Sequence, residues 1–81
     1  MSNREKLKKL ILDVFLLDEA EFSFDLTRQQ VDTWDSLGVV SLAVGVHQTF
    51  GYHCTPEEAT AIQSVGDLIR LLETKGIAFD A

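Results

Sequence analysis

Trp34-Asp35-Ser36-Leu37 is the stretch on which the fold depends, because it joins an irregular segment to a run of apolar residues with helical spacing. The irregular segment covers residues 18–35, and the apolar run continues from there to Phe50. Serine is a favoured helix N-cap, since its hydroxyl accepts a hydrogen bond from a first-turn backbone N–H. The stretch therefore predicts a helix capped by Ser36, with the serine oxygen presented to other proteins at the helix start.

The run from Leu37 to Phe50 contains no Asp, Glu, Lys or Arg, which is unusual for a surface helix of an acidic protein. At about 100° per residue, its side chains divide into two faces. The face expected in the core comprises Val39, Leu42, Ala43, Val46 and Phe50. The opposite face comprises Leu37, Val40, Ser41, Val44 and Gln48.

Three residues of that opposite face, Leu37, Val40 and Val44, form an apolar strip beside the serine. Either another part of the protein covers this strip, or it is a surface on which a partner docks. Gly38 and Gly45 each weaken the helix by about 1 kcal/mol relative to Ala. They therefore predict a segment that packs closely against the helix, or a need for room beside it.

Three further helices are predicted from spacing and capping residues. A first helix over about residues 4–17 is predicted by the helical spacing of Leu7, Leu10, Ile11, Val14 and Phe15. Thr55 as N-cap and Pro56 at the first helical position predict a short third helix, which follows a helix end at Gly51. Ser64 as N-cap, with Asp67 at the capping-box position, predicts a fourth helix that ends before Gly76.

The chain is thus predicted to be all-α, a small four-helix bundle with a long first loop and a short third helix. Residues 18–35 are expected to run over the bundle, held by the apolar anchors Phe22, Phe24, Leu26, Val31 and Trp34. Because the chain has only 81 residues, we expect one domain over residues 1–81. Its core is expected at about residues 4–76, and residues 77–81 are expected to be a loose tail.

The charge of the chain limits its partners. Seven basic and thirteen acidic residues give a net charge of −6, which disfavours nucleic acid and anionic membranes and suits partners with basic docking surfaces. The single cysteine, Cys54, has no internal disulfide partner, and the sequence has neither an apolar signal segment nor a bilayer-length span. We therefore expect a cytoplasmic protein.

One set of residues keeps characteristic spacings along most of the chain: Asp35-Ser36-Leu37, Val40, Leu42, Val46, Phe50, Gly51, Pro56-Glu57-Glu58, Ile62 and Ser64-Val65-Gly66-Asp67-Leu68. By these spacings, the chain resembles the acyl carrier protein family from about residue 4 to residue 76. The resemblance implies a bundle of acyl-carrier type that catalyses nothing itself. It also implies that Ser36 is the attachment point of 4'-phosphopantetheine from coenzyme A. Asp35 would assist the attachment near a magnesium ion, or else serve only as an acid at the helix start.

The resemblance also implies partners and a cargo. A phosphopantetheinyl transferase would modify the serine, an acyl-loading ligase or synthase would charge the thiol, and acyltransferases or condensing enzymes would receive the acyl group from a monomeric carrier. Fatty acyl, polyketide, amino-acyl and D-alanyl cargoes all stay open. Ala43, Gly45, Ala59 and Ile62 either open a cleft for a hydrophobic chain or only permit tight packing.

The second helix differs from that of fatty acid carriers, which normally bears several acids. Gly38, Ser41, His47 and Gln48 occupy positions where charge would be expected. The acids lie elsewhere, at Asp18, Glu19, Glu21, Asp25, Asp32, Asp35, Glu57 and Glu58. We therefore expect docking on the apolar strip, with these acids steering the approach of the partner.

Four other functions are weighed against this one. A hydrolase built from Asp35, Ser36 and either His47 or His53 lacks a nucleophile elbow and an oxyanion motif. Zinc binding by the two histidines and Cys54 lacks a fourth ligand, so no metal site is predicted. Residues 18–25 lack the spacing of a calcium loop. An interaction module that keeps the fold without being modified is the main alternative.

Overall fold

In the computed structural model, which describes residues 2–79, the chain forms four α-helices joined by loops. The helices are α1 (Asn3–Phe15), α2 (Ser36–Phe50), α3 (Pro56–Ala61) and α4 (Val65–Thr74). The predicted all-α fold, with a long first loop and a short third helix, is confirmed. None of the helices in residues 2–79 is both long enough and apolar enough to cross a membrane.

Helix α1 buries the apolar stripe that its sequence predicts. Leu7, Leu10, Ile11 and Phe15 are buried, and Val14 packs beside them at the edge of the core. The helix ends two residues before the predicted limit, because Leu16 adopts a left-handed conformation with φ 57°. The backbone N–H groups of Leu16 and Leu17 then both donate to the carbonyl of Leu12, which closes the last turn.

The long loop from residue 16 to residue 35 lies against the bundle. Its predicted anchors Leu26, Val31 and Trp34 are buried, whereas Phe22 and Phe24 are half-buried. Two short 3-10 helices, Glu19–Glu21 and Arg28–Gln30, lie within it. The indole of Trp34 stacks on the Phe15 ring at a centroid distance of 4.8 Å, which joins the end of the loop to α1.

The middle of this loop pairs with the link between α3 and α4. Arg28 N donates to Gln63 O at 2.8 Å, and Val65 N donates to Leu26 O at 2.9 Å. These two bonds form an isolated antiparallel bridge centred on Thr27 and Ser64. The loop is therefore fixed to the link between α3 and α4 as well as to α1.

The two glycines of α2 lie at close approaches, as predicted. A Cβ at Gly38 would overlap the backbone carbonyl oxygen of Thr33, and a Cβ at Gly45 would overlap Leu10 Cδ1. Thr33 is itself held by a hydrogen bond from its hydroxyl to Phe15 O at 2.8 Å. Gly38 thus admits the loop backbone to α2, and Gly45 admits α1.

The predicted caps of the last two helices are present, with one difference. Thr55 Oγ1 accepts from Glu58 N at 3.1 Å, and Glu58 Oε1 accepts from Thr55 N at 3.0 Å, which makes a complete capping box. Ser64 Oγ accepts from Asp67 N at 3.0 Å. The capping-box role expected of Asp67 is wrong, because its carboxylate accepts from Gln63 N instead of Ser64 N.

The core extends beyond the limit predicted at residue 76. Phe79 is only 2% exposed, and its ring lies 5.7 Å from that of Phe50. Asn3 Nδ2 donates to Ala78 O at 2.7 Å, which fixes this segment to the start of α1. The expected loose tail is therefore wrong for residues 77–79, and residues 80–81 lie outside the described part. The assignment of residues 1–81 to one domain stays a prediction.

Candidate functional site

The candidate site lies at the start of α2, where the structure corrects the predicted cap. Asp35, not Ser36, is the N-cap: its backbone is extended, and its Oδ1 accepts from Gly38 N at 2.9 Å. Ser36 is the first helical residue and is exposed. Because the carboxylate of Asp35 has taken the capping role, the Ser36 hydroxyl remains available to another molecule.

The start of α2 is also a favourable place for a negative charge. Backbone N–H groups in the first turn of a helix have no partner within the helix, and the positive end of the helix dipole lies there. The Asp35 carboxylate takes up the N–H of Gly38, and the Asp35 carbonyl takes up the N–H of Val39. The N–H groups of Ser36 and Leu37 precede these two, so an anion bound to the Ser36 oxygen would lie beside them.

A cleft of about 480 Å³ lies between α2 and α3 and reaches the Ser36 side chain. Its apolar walls are formed by Val39, Val40, Ala43, Val44 and Ala59. Its other lining residues include His47, His53, Cys54 and Thr60. At 1.5 Å per residue, His47 lies about 16 Å along the helix from Ser36. The cleft is large enough for a small-molecule chain that starts at the serine.

The four residues expected to open such a cleft have separate positions. Ala43 and Ala59 line the cleft. Gly45 lies instead in a second groove of about 580 Å³ between α1 and α2, where it makes room for Leu10. Ile62 is buried in the core. Two of the four residues thus shape the cleft, and the other two serve packing.

Arg28 belongs to this site, although the sequence analysis did not identify it. Its Nε donates to the carbonyl oxygen of Trp34 at 2.9 Å, and its side chain lines the same cleft as Ser36. Within residues 2–79, the ion pairs join Lys8 to Glu19, Arg70 to Asp67 and Lys75 to Glu58, and none includes Arg28. The sequence contained a signal, because Arg28 is the only Lys or Arg between Lys9 and Arg70.

The apolar strip is exposed. Leu37 is 78% exposed, Val40 61% and Val44 51%. Val40 and Val44 line both the cleft and the second groove, so they form a ridge between the two. No other segment in residues 2–79 covers the strip, which excludes the alternative that another described part of the bundle does so.

The comparisons with known proteins identify the family. Over 75 residues, the chain is 35% identical to an acyl carrier protein of Solidesulfovibrio magneticus, and the match covers 93% of the chain and 96% of that protein. The chain belongs to the acyl carrier protein family. Over 70 residues, it is 29% identical to an acyl carrier protein of Coprothermobacter proteolyticus, with 86% and 85% of the two chains covered. No family model and no solved structure matches the chain.

As a member of this family, the protein is a carrier and not an enzyme. The geometry also argues against a hydrolase in which His47 or His53 activates Ser36. His47 lies about three turns along α2 from Ser36, at about 16 Å, which is too far for a hydrogen bond to the hydroxyl. The ring of His53 stacks on that of His47 at a centroid distance of 5.2 Å, so neither imidazole serves as a base for the serine.

The histidines and the cysteine lie together at the cleft of this carrier protein. Cys54 is buried, and burial is the main cause that raises the pKa of its thiol. Within residues 2–79, no group of three or more His, Cys, Asp or Glu side chains is arranged to hold a metal ion. Of the predicted site residues, Ser36, Val40 and Val44 line the cleft, whereas Asp35 and Leu37 do not.

The acids expected to steer partners are not all free. Tyr52 donates its hydroxyl proton to Glu58 Oε1 at 2.5 Å, and Lys75 Nζ lies 3.8 Å from Glu58 Oε2. The bond from Tyr52 is the main cause that lowers the pKa of Glu58, and the same bond raises the pKa of Tyr52 to about 12. Glu58 therefore holds α3 to its neighbours. Because its carboxylate is engaged by Tyr52 and Lys75, we do not count it among the acids that steer partners.

The side of the strip that faces α1 carries basic groups. Lys6 and Lys9 line the groove between α1 and α2, together with Asp13. The acids expected to steer partners are therefore not the only charged groups beside the strip. A partner that covers the ridge meets positive charge next to α1.

Proposed function

We propose that Ser36 carries 4'-phosphopantetheine covalently and that its thiol holds an acyl group as a thioester for transfer between enzymes. Acyl carrier proteins in general carry a phosphopantetheine prosthetic group. The observation that carries the proposal is the position of Ser36. It is the exposed first residue of α2, relieved of capping by Asp35, at the entrance of the cleft.

The residues present at Ser36 fit this group. Its phosphodiester would be attached at the helix N-terminus, where the dipole stabilises an exposed anion by about 0.3–1 kcal/mol. The group supplies a flexible thiol, and the protein supplies an oriented hydroxyl. In the attachment, Ser36 Oγ forms the new bond to phosphorus, and the serine proton passes to a base of the transferase. The diphosphate linkage of coenzyme A breaks, and adenosine 3',5'-bisphosphate leaves.

Asp35 has two roles in this proposal. Its carboxylate caps α2 through Gly38 N, which sets the orientation of Ser36. The same carboxylate is exposed, so it also assists the attachment by meeting the magnesium ion of the transferase. The other carboxylate oxygen is suited to this second role, because the cap uses only Oδ1.

The cargo is an acyl group of the fatty acyl, polyketide or amino-acyl classes. The apolar walls of the cleft between α2 and α3 support a cargo or arm that lies partly against Val39, Ala43 and Ala59. The transferase, an acyl-loading ligase or synthase, and downstream acyltransferases or condensing enzymes are the proposed partners. A cytoplasmic location agrees with this set of partners.

Partners are proposed to dock on Leu37, Val40 and Val44. An exposed apolar strip on a helix without charged side chains gains free energy when another protein covers it. Acids elsewhere on this protein of net charge −6 then act on the rate of encounter, and their effect falls as salt concentration rises.

The attachment is tested by mass spectrometry after incubation with coenzyme A and a broad-specificity phosphopantetheinyl transferase. The wild-type protein should gain one phosphopantetheine, and Ser36→Ala should gain none. Ser41→Ala is the matched control, because Ser41 is another exposed serine of α2, and it should be modified like the wild type. A wild-type protein that stays at its unmodified mass contradicts the proposal and supports the unmodified interaction module.

The docking surface is tested by measuring acyl transfer to Leu37→Ala and Val44→Ala at two ionic strengths. A loss of about 1 kcal/mol of docking free energy lowers kcat/KM about fivefold for each variant at both salt concentrations. Leu16→Ala removes a leucine that is 83% exposed outside the strip, and it should leave the rate unchanged. Equal rates for the wild type and both strip variants would rule the strip out as the docking surface.

A further inference from the structure

We infer that Arg28 binds the phosphodiester of the group attached to Ser36. This inference rests on the proposed function, and it assigns a phosphate-binding side chain from the long loop to the attachment site. Arg28 and Ser36 are eight positions apart in the sequence, and the fold brings both of them to one cleft.

The position of the guanidinium is fixed by the fold. Arg28 N donates to Gln63 O at 2.8 Å, which fixes the backbone, and Arg28 Nε donates to Trp34 O at 2.9 Å, which fixes the side chain. Trp34 is buried and lies two residues before Ser36. The guanidinium is therefore held beside the peptide that leads into the modified residue, and it does not extend freely into solvent.

The donors of Arg28 exceed the bonds that it makes in the folded chain. A guanidinium has five N–H donors, and the bond to Trp34 O uses the one on Nε. No carboxylate within residues 2–79 forms an ion pair with it, although the protein has thirteen acidic residues. A half-buried guanidinium that avoids the abundant carboxylates and lines the cleft at Ser36 is suited to an anion that arrives there.

Phosphate is the anion that fits this arrangement. The planar fork of arginine matches two phosphate oxygens, which a lysine ammonium does not. The attached phosphodiester would otherwise meet the neighbouring Asp35 carboxylate in a protein of net charge −6. Arg28 offsets that repulsion from the loop side, while the N–H groups of α2 act from the helix side.

The inference is tested by phosphorus NMR of the modified protein, after mass spectrometry has shown that each variant is loaded. The phosphodiester resonance of Arg28→Gln should be shifted from its wild-type position, and that of Arg28→Lys should lie between the two. Arg70→Gln is the matched control, because it removes the same charge from a residue that pairs with Asp67 and does not line the cleft. Its phosphorus resonance should stay at the wild-type position.

Thermal unfolding of the unmodified and modified forms gives a second readout. The change in midpoint on modification is compared within each variant, so any loss of stability caused by the substitution itself cancels. Modification should raise the midpoint more in the wild type than in Arg28→Gln, because only the wild type gains a charge-assisted hydrogen bond to phosphate. If Arg28→Gln does not fold, the Arg28 Nε–H resonance of the wild type decides the question, and it should shift on modification.

The possible failures are separable. A wild-type protein that is not loaded overturns the proposed function, and the inference with it. A wild type that loads normally, with the same phosphorus resonance and the same midpoint increase as Arg28→Gln, overturns the inference alone. An Nε–H resonance that does not move on modification of the wild type also overturns it.

Discussion

The two faces of α2 have similar side chains and opposite surroundings. Val39, Leu42 and Val46 are at most 8% exposed, whereas Leu37, Val40 and Val44 are 51–78% exposed. The buried face packs in the core with α1, and the other face forms the ridge between the cleft and the second groove. Burial of a Leu or Val side chain contributes about 1.5–3 kcal/mol, so only the first face contributes to folding at that level.

This difference shows that stability does not explain the composition of α2. A helix needs one apolar stripe to pack on a bundle, and the buried face of α2 supplies it. The second stripe contributes little to folding, so the free energy gained by burying it is available for binding a partner. The exposed face is thus the part of α2 on which function acts, and the two faces are expected to respond differently to the same substitution.

The largest expected difference comes from the same substitution on each face. Leu42→Ala should lower the free energy of unfolding by about 2–5 kcal/mol, because it leaves a cavity in the core. Leu37→Ala should change it by less than about 0.5 kcal/mol. Urea unfolding followed by the fluorescence of the single, buried Trp34 measures both. Equal losses for the two variants would show that the strip is covered.

The two glycines of α2 give the next largest effect. Gly38→Ala should destabilise the protein by about 1–3 kcal/mol, because the new methyl group meets the Thr33 carbonyl, which is backbone and cannot move alone. Gly45→Ala meets side-chain atoms only, chiefly Leu10 Cδ1 and less closely Val14 Cγ2, and a helix-propensity gain of about 1 kcal/mol offsets these contacts. Circular dichroism during urea unfolding measures both. A Gly45→Ala protein less stable than Gly38→Ala would reverse the assignment of these contacts.

The smallest effect concerns the cluster that holds α3 beside the cleft. Since the folded pKa of Glu58 is lowered, its contribution to stability is present above about pH 4.5 and is lost as pH falls through the folded pKa. Since the pKa of Tyr52 is raised from 10.0 to about 12, its contribution is present below pH 10 and is lost as pH rises toward 12.

Glu58→Gln should flatten both ends of this pH profile while keeping the capping box with Thr55, because glutamine also accepts from the Thr55 N–H. Glu57→Gln removes the same charge from the neighbouring exposed residue and should leave the profile as in the wild type. Thermal midpoints between pH 3 and pH 11 measure the effect. If both variants gave the same pH profile, the Tyr52–Glu58 bond would not be the cause of the pH dependence.

The sequence predicted what local chemistry determines. Thr55 with Pro56, and Ser64, identified the starts of α3 and α4 because capping residues act within a few positions of the chain. The two faces of α2 followed from helical spacing, and their different exposure is confirmed. The predicted N-cap of α2, Ser36, is one residue later than the observed one, Asp35. Asp and Ser are equally good N-caps, and only the backbone conformation distinguishes them.

The features that were missed depend on contacts between distant segments. Arg28 reaches the site because the loop pairs with Gln63 and because Trp34 is buried, and no periodicity in residues 18–35 reports either contact. Phe79 joins the core because Phe50 is accessible to it at the end of α2. A lone basic residue in a long acidic loop was the available sequence signal for the first feature. For the burial of Phe79, the sequence signal was only two large apolar residues, Ile77 and Phe79, after the predicted end of α4.

The pairing of Thr27 with Ser64 has a consequence for how the connection between α1 and α2 is ordered. A single long connection loses much of its conformational entropy when its ends are joined, and a fastening near its middle turns it into two shorter closures. The half of the loop that leads from Thr27 to Ser36 is then a short segment whose two ends are both held in place. An approaching enzyme therefore meets a loop segment before Ser36 that is already ordered. Little of the free energy of its binding is needed to order the chain.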